Sequence, residues 1–193
     1  MRTQTTTALT MPEGWPKFEV EGDTCTQTHI YEHQWELVAA AYDLRYPSHP
    51  LVPELVSTTV TNHHDDPTRG RTEYDRKIVL QANEMPWIVR KVTGTEQMEV
   101  ATQVTLDLFE RKLTTKSRNL TWRDSLHCDE ECQYWASKER PGWTEFRQVA
   151  VISIAPAWQG YYGMGTVHGF LMDSYSKAVG KGRVIDWLAL VEC

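Results

Sequence analysis

Long apolar runs are missing from this chain: none reaches the ~18 residues that a membrane-spanning helix needs, and the opening MRTQTTTALTMPEGWP has no apolar stretch of the kind a secretory signal carries. A soluble, non-secreted protein is expected. Cysteine is scarce, and Cys25, Cys128, Cys132 and Cys193 are too scattered for a disulfide framework. Basic charge is in deficit, with a formal net charge of −6, which argues against a nucleic-acid binder because such domains carry a clustered basic face. Catalytic signatures are also lacking. No Ser, Cys or His motif stands in a catalytic context, and no metalloprotease helix is present, so an enzyme is not expected. HCDEEC (His127, Cys128, Cys132) and HHDD (His63 to Asp66) offer donor atoms, but neither has a second ligand pair at zinc spacing. No metal or other cofactor is expected, and HHDD reads as a solvated turn. GMGTVHG, Gly163 to Gly169, mimics a dinucleotide loop, with Asp186 placed as a ribose acceptor would be. Too little chain follows it to build the parallel sheet such a loop serves. A nucleotide-binding enzyme stays as the remote alternative.

What is present is a globular composition, 40% hydrophobic and 24% charged, with eight tryptophans. The charge is uneven: residues 1–45 hold three Lys/Arg against seven Asp/Glu, while residues 138–193 hold six against five. At 193 residues one domain is expected over 19–193, after a disordered tail over 1–18. Asn119-Leu120-Thr121 matches a glycosylation sequon, which matters only in a secretory compartment.

Strand signals dominate the first three quarters. FEVEGDTCTQTHIY reads as one strand or two short ones, and LVSTTVTN with RTEYDRKIVLQA reads as a hairpin. MEVATQVTLDL, RKLTTKSRNLTW, EECQYWAS and GWTEFRQVAVISIAP follow as strand-like runs. About seven strands in sequential order predict an antiparallel sheet. From Trp158 onward the pattern turns helical, with Met164, Val167, Phe170, Leu171, Ala178, Ile185 and Leu188 within an arc of roughly 100°. The fold class is therefore α+β, with a long C-terminal helix lying across one sheet face.

Two cations sit on apolar helix faces. In YEHQWELVAAAYDLRYP, Trp35, Val38, Ala39, Ala41 and Tyr42 share one side, and Arg45 returns to nearly the azimuth of Val38. It either meets the negative end of the helix dipole or points into a cavity as a fork of donors for an anion. Lys181 lies in the C-terminal arc beside Phe170, Ser174, Ile185 and Leu188, where it either snorkels to solvent or serves a ligand. Six glycines between 160 and 182 cost about 1 kcal/mol each in a helix. Close helix–sheet approach, or room for a ligand, would offset them.

HIYEHQWELVAAAYDLRYP, EMPWIVRK, TTKSRNLTW, GWTEFRQVAVIS and KAVGKGRVIDWL, in that order over residues 24–191, resemble the PRELI domain family of mitochondrial intermembrane-space phospholipid carriers. NLTW with GWTEF is most similar to its second subgroup. The resemblance implies a curved sheet wrapped around the C-terminal helix, a phospholipid tunnel between them, and a lid over its mouth. It also implies a small twin-cysteine helical partner and a phosphatidic-acid- or phosphatidylserine-class ligand. By motif, Arg45 and Lys181 become the head-group residues, and Met85, Pro86, Trp87, Ile88, Val89, Arg90 and Lys91 become the lid that touches an anionic membrane. Gln81 and Glu84 stand where phosphatidic-acid carriers have lysines, which leaves a non-transferring scaffold of the same fold as the alternative.

Overall fold

The computed structural model describes residues 17–44, 53–81, 95–155, 165, 168–177 and 179. Eight strands are formed: β1 (Lys17–Glu21), β2 (Thr24–Tyr31), β3 (Leu55–Asp66), β4 (Arg71–Gln81), β5 (Gln97–Asp107), β6 (Lys112–Asn119), β7 (Leu126–Ala136) and β8 (Thr144–Ile154). They make one sheet in the order β1-β2-β8-β7-β6-β5-β4-β3, antiparallel at every pairing. The eighth strand comes from FEVEGDTCTQTHIY, which divides into β1 and β2 at Gly22, a residue with φ of 58° that only glycine adopts freely.

The expected β3–β4 hairpin forms, but its turn lies later than HHDD. His63 to Asp66 finish β3, and the chain reverses over the next four residues, where Gly70 N donates to Pro67 O. Asp66 caps this turn by accepting from the Thr68 and Arg69 amides. The Thr68 hydroxyl holds its carboxyl below the usual range. Gly70 has φ of 60°, which favours glycine, and a Cβ there would meet the exposed Phe109 ring at 2.9 Å and push it aside.

Alternation along each strand sorts the side chains onto two faces. In β8, Thr144, Phe146, Gln148, Ala150, Ile152 and Ile154 point inward and are buried. The helix α1 (Trp35–Leu44) covers one end of this inner face, burying Trp35, Val38, Ala41 and Tyr42 at helical spacing. Trp35 Nε1 donates to Tyr134 O of β7 at 3.2 Å, and at the other end of α1 Asp43 meets Arg76 of β4 at 2.6 Å. Three strand spacings, about 14 Å, match the rise of these eight steps, about 12 Å. The helix therefore lies across the strands. Around it pack Tyr31, Tyr74, Val104, Leu113, Cys132, Tyr134 and Phe146.

Residues 168–177 are helical and cover the opposite end of the inner face. Leu171 packs with Leu126, Ile152 and Ile154, while Met172 and Tyr175 flank them. His168 Nε2 approaches Ile152 O at 2.9 Å and Asp23 at 3.2 Å. His168, Leu171, Met172 and Tyr175 are spaced three, four and seven apart, which places them on one helical face. That face is rotated from the expected arc, since Met172 and Tyr175 pack beside Leu171 against Leu126, Ile152 and Ile154. Among the described residues no helix is long and apolar enough to cross a membrane.

Candidate functional site

Between the two apolar ends the inner face changes character. Strand register aligns Cys25, Ala150, Glu130, Ser117, Thr102, Arg76 and Val60 in one row across the sheet. The adjacent row toward α1 runs Gln27, Gln148, Cys132, Thr115, Val104 and Tyr74. Gln27, Gln148, Thr102, Thr115 and Arg76 are all buried. A polar band therefore crosses an otherwise apolar interior.

At the β4 end of the band, Arg76 is 4% exposed. Its Nη2 donates to Asp43 Oδ1 at 2.6 Å and to Tyr74 Oη at 3.2 Å, and Tyr74 donates to the same carboxylate oxygen at 2.6 Å. The guanidinium also lies over the Tyr42 and Tyr74 rings at 5.4 and 5.3 Å, which favours a desolvated cation. In the middle, Thr102 and Ser117 share a hydrogen bond of 2.9 Å. At the β8 end, Glu130 accepts from Gln148 Nε2 at 2.6 Å and from the Tyr175 hydroxyl, and Gln148 Nε2 reaches Tyr175 Oη at 2.8 Å. Burial, and then the Glu130 carboxylate, push the Tyr175 hydroxyl well above its ordinary pKa. The same causes push the Cys128 thiol up to about 12, and burial raises Cys25. These thiols are therefore poor nucleophiles.

Arg45, Lys181 and the expected lid, Met85 to Lys91, lie outside the described residues. The metal reading of HCDEEC fails on strand alternation, because Cys128 and Cys132 face inward while His127 faces outward. Among the described residues no group of three or more such donors could hold a metal ion. Asn119 is 3% exposed and fully engaged: it donates to Thr121 O and Leu126 O and accepts from Cys128 N and Arg123. Its sequon cannot receive a glycan in the fold.

Sequence reasoning passed over Arg76, Gln27, Gln148, Glu130 and Tyr175. The available signal was a polar residue in the inward phase of an alternating strand, as in Tyr74-Arg76-Ile78 and Phe146-Gln148-Ala150. An open groove of about 950 Å³ lies mainly on the opposite, outer face, lined by Lys77, Gln103, Lys116, Arg118 and Glu131 among others. Its charges cross-pair, with Lys77 meeting Glu99 at 2.8 Å and Lys116 meeting Glu131 at 3.9 Å. Such a lining suits water rather than an acyl chain.

A family model described as the PRELI-like family matches residues 36–189. Among curated proteins, the Protein slowmo homolog of Dictyostelium discoideum is 27% identical over 83% of this chain and 68% of its own length. Protein real-time of Aedes aegypti is 29% identical over 81% of this chain, and a CRAL-TRIO domain-containing protein of Caenorhabditis elegans is 28% identical over the same share. The chain spans only about a quarter and a fifth of the lengths of these last two, 24% and 21%. Among solved structures, the Zhui aromatase/cyclase from Streptomyces superposes with TM-score 0.51 at 12% identity, over 88% of this chain and 91% of that one. Ara h 8.0201 superposes with TM-score 0.51 at 13% identity, over 87% and 97%. These likenesses extend to the fold and no further.

Proposed function

The chain belongs to the PRELI-like family, and from that premise we propose that it is a non-enzymatic carrier that binds one glycerophospholipid inside the sheet and moves it between membranes. One observation carries this reading: the inner face presents a buried polar band, with the Arg76 guanidinium at one end, between two apolar clusters. A phospholipid has the same succession of surfaces, a charged and hydrogen-bonding head joined to apolar chains. A purely structural core has no use for such a band, since buried polar groups stabilise only when fully paired.

In this proposal the phosphate is held by Arg45 and Lys181, and the acyl chains run along the C-terminal helix in a tunnel against the sheet. Met85 to Lys91 form a lid whose Trp87 and Ile88 dip into an anionic bilayer interface while Arg90 and Lys91 meet its charge. The compartment is the mitochondrial intermembrane space, and a small twin-cysteine helical protein stabilises the carrier between encounters. The ligand class is phosphatidic acid or phosphatidylserine.

The test is native mass spectrometry of the purified chain together with lipid transfer between vesicles. A bound phospholipid and measurable transfer are expected. Arg45→Glu should abolish extraction while melting stays cooperative, because it puts a repelling charge beside the phosphate without touching the sheet. A chain that stays empty in the presence of every glycerophospholipid would refute the carrier reading.

A further inference from the structure

The two outer edges of the sheet are built differently. β1 is five residues long and carries Lys17, Glu19 and Glu21, the short, charged form by which a sheet keeps its edge from pairing with another chain. β3, at the opposite edge, is twelve residues long, and its run LVSTTVT, Leu55 to Thr61, has no charge, no proline and no glycine. Five of these seven residues are β-branched, a composition that takes up an added strand readily. Among the described residues only β4 pairs with β3, and Val56 and Val60 are 51% and 49% exposed.

The middle of this strand is matched to itself. Regular pairing with β4 runs from Ser57 to Thr61, bounded by register shifts at Val56 and at Asn62–His63, where Asn62 takes φ of 51° and its amide donates to Asp75. Thr59 is the midpoint of the regular run. A two-fold axis through Thr59 lays the strand antiparallel on a second copy, with Ser57 opposite Thr61, Thr58 opposite Val60, and one register shift facing the other. Ser and Thr are favourable cross-strand neighbours. Beyond the shifts the same axis directs Glu54 towards His64 of the second copy, so like charges are not opposed. Any other chain would need its own matching segment, which symmetry supplies here.

We propose that β3 is a homodimerisation edge, two copies pairing antiparallel through Ser57–Thr61 about Thr59 and joining two eight-stranded sheets. The inference is independent of the carrier reading. Assembly closes at two copies, because the edges left over are the short, charged β1 strands. So few residues from each copy bury less than the roughly 1,000 Å² of a stable interface, and the dimer exchanges with monomer and forms at high protein concentration.

Sedimentation equilibrium of the purified full chain over a wide concentration range reads this balance, and a reversible dimer is expected. Thr59 is exposed, so Thr59→Lys and Thr59→Glu should leave circular dichroism and melting unchanged. Each sets like charges against one another at the axis and should weaken association by about tenfold. Mixed in equal amounts, the two variants should recover a heterodimer, because opposite charges then meet at the axis. A chain that stays monomeric at every concentration would overturn the proposal. A dimer indifferent to both substitutions would place the contact elsewhere and overturn it as well. Association lost in each variant and not recovered in the mixture would overturn the register through Thr59.

Discussion

Two regions of the inner face, one or two register rows apart on the same strands, are built on opposite terms. Under α1 the inward residues of β6, β7 and β8 are Leu113, Tyr134 and Phe146, each at most 2% exposed. Tyr134 meets Phe146 at a tilted angle at 4.6 Å and Tyr42 edge-on at 6.1 Å, and stacks on Tyr31 at 6.3 Å. In the band the inward residues of those strands are Ser117, Glu130 and Gln148, and buried oxygens are left without donors. Apolar and aromatic contacts dominate the first region, and polar side chains the second. The difference teaches where stability is held: the aromatic end carries the apolar packing of the fold, while on the proposed carrier reading the band leaves stability for a ligand to restore.

Trp35→Ala at the aromatic end and Gln27→Met in the band should therefore move melting temperature in opposite directions. The largest effect is expected from Trp35→Ala, which removes a side chain 2% exposed together with its hydrogen bond to Tyr134 O. The cost should be about 3–5 kcal/mol, read as a fall in Tm of about 10 °C. A shift as small as that of a surface variant would mean that α1 is not the clamp at this end.

Asp43→Ala is intermediate. It deletes the acceptor shared by the Arg76 guanidinium and the Tyr74 hydroxyl, but Asp43 is itself 57% exposed, so solvent already screens part of the attraction. A loss of about 1–2 kcal/mol is expected in denaturant unfolding with an unchanged m value.

The smallest effect has the opposite sign. Gln27→Met keeps the length of the side chain and removes a buried oxygen without a partner, so the empty protein should gain about 1 kcal/mol. Its melting temperature should rise. A fall in stability would mean that Gln27 is a structural residue and that the contrast between the two regions is misplaced.

Much of the sheet was legible because alternation is a local property. A count of about seven strands, one short of the eight that form, the hairpin ending in Arg71–Gln81 and the buried side of α1 all follow from periods of two and 3.6. Where the local pattern misled, chemistry close in space had intervened. His63 to Asp66 look like a solvated turn, yet they remain strand because β3 pairs with β4 through Asp66↔Arg71. Phe170 looks inward on a helical wheel, yet Met172 and Tyr175 face the sheet, because that is where Cys25 Sγ lies 3.9 Å from Met172 Sδ and where Glu130 accepts from Tyr175.

By itself the sequence determined the family, through an ordered set of motifs, and the face on which most strand residues lie. It did not determine which inward residues meet. Pairing of β2 with β8 sets Gln27 opposite Gln148 and brings Glu130 and Tyr175 beside them, although these residues are spread from one end of the chain to the other. Alternation assigns a side chain to a face and says nothing of its neighbour across the ladder. That neighbour is chosen by the register of distant strands, and with it the hydrogen bonds that are made or left open, so the polar band exists only in the folded sheet.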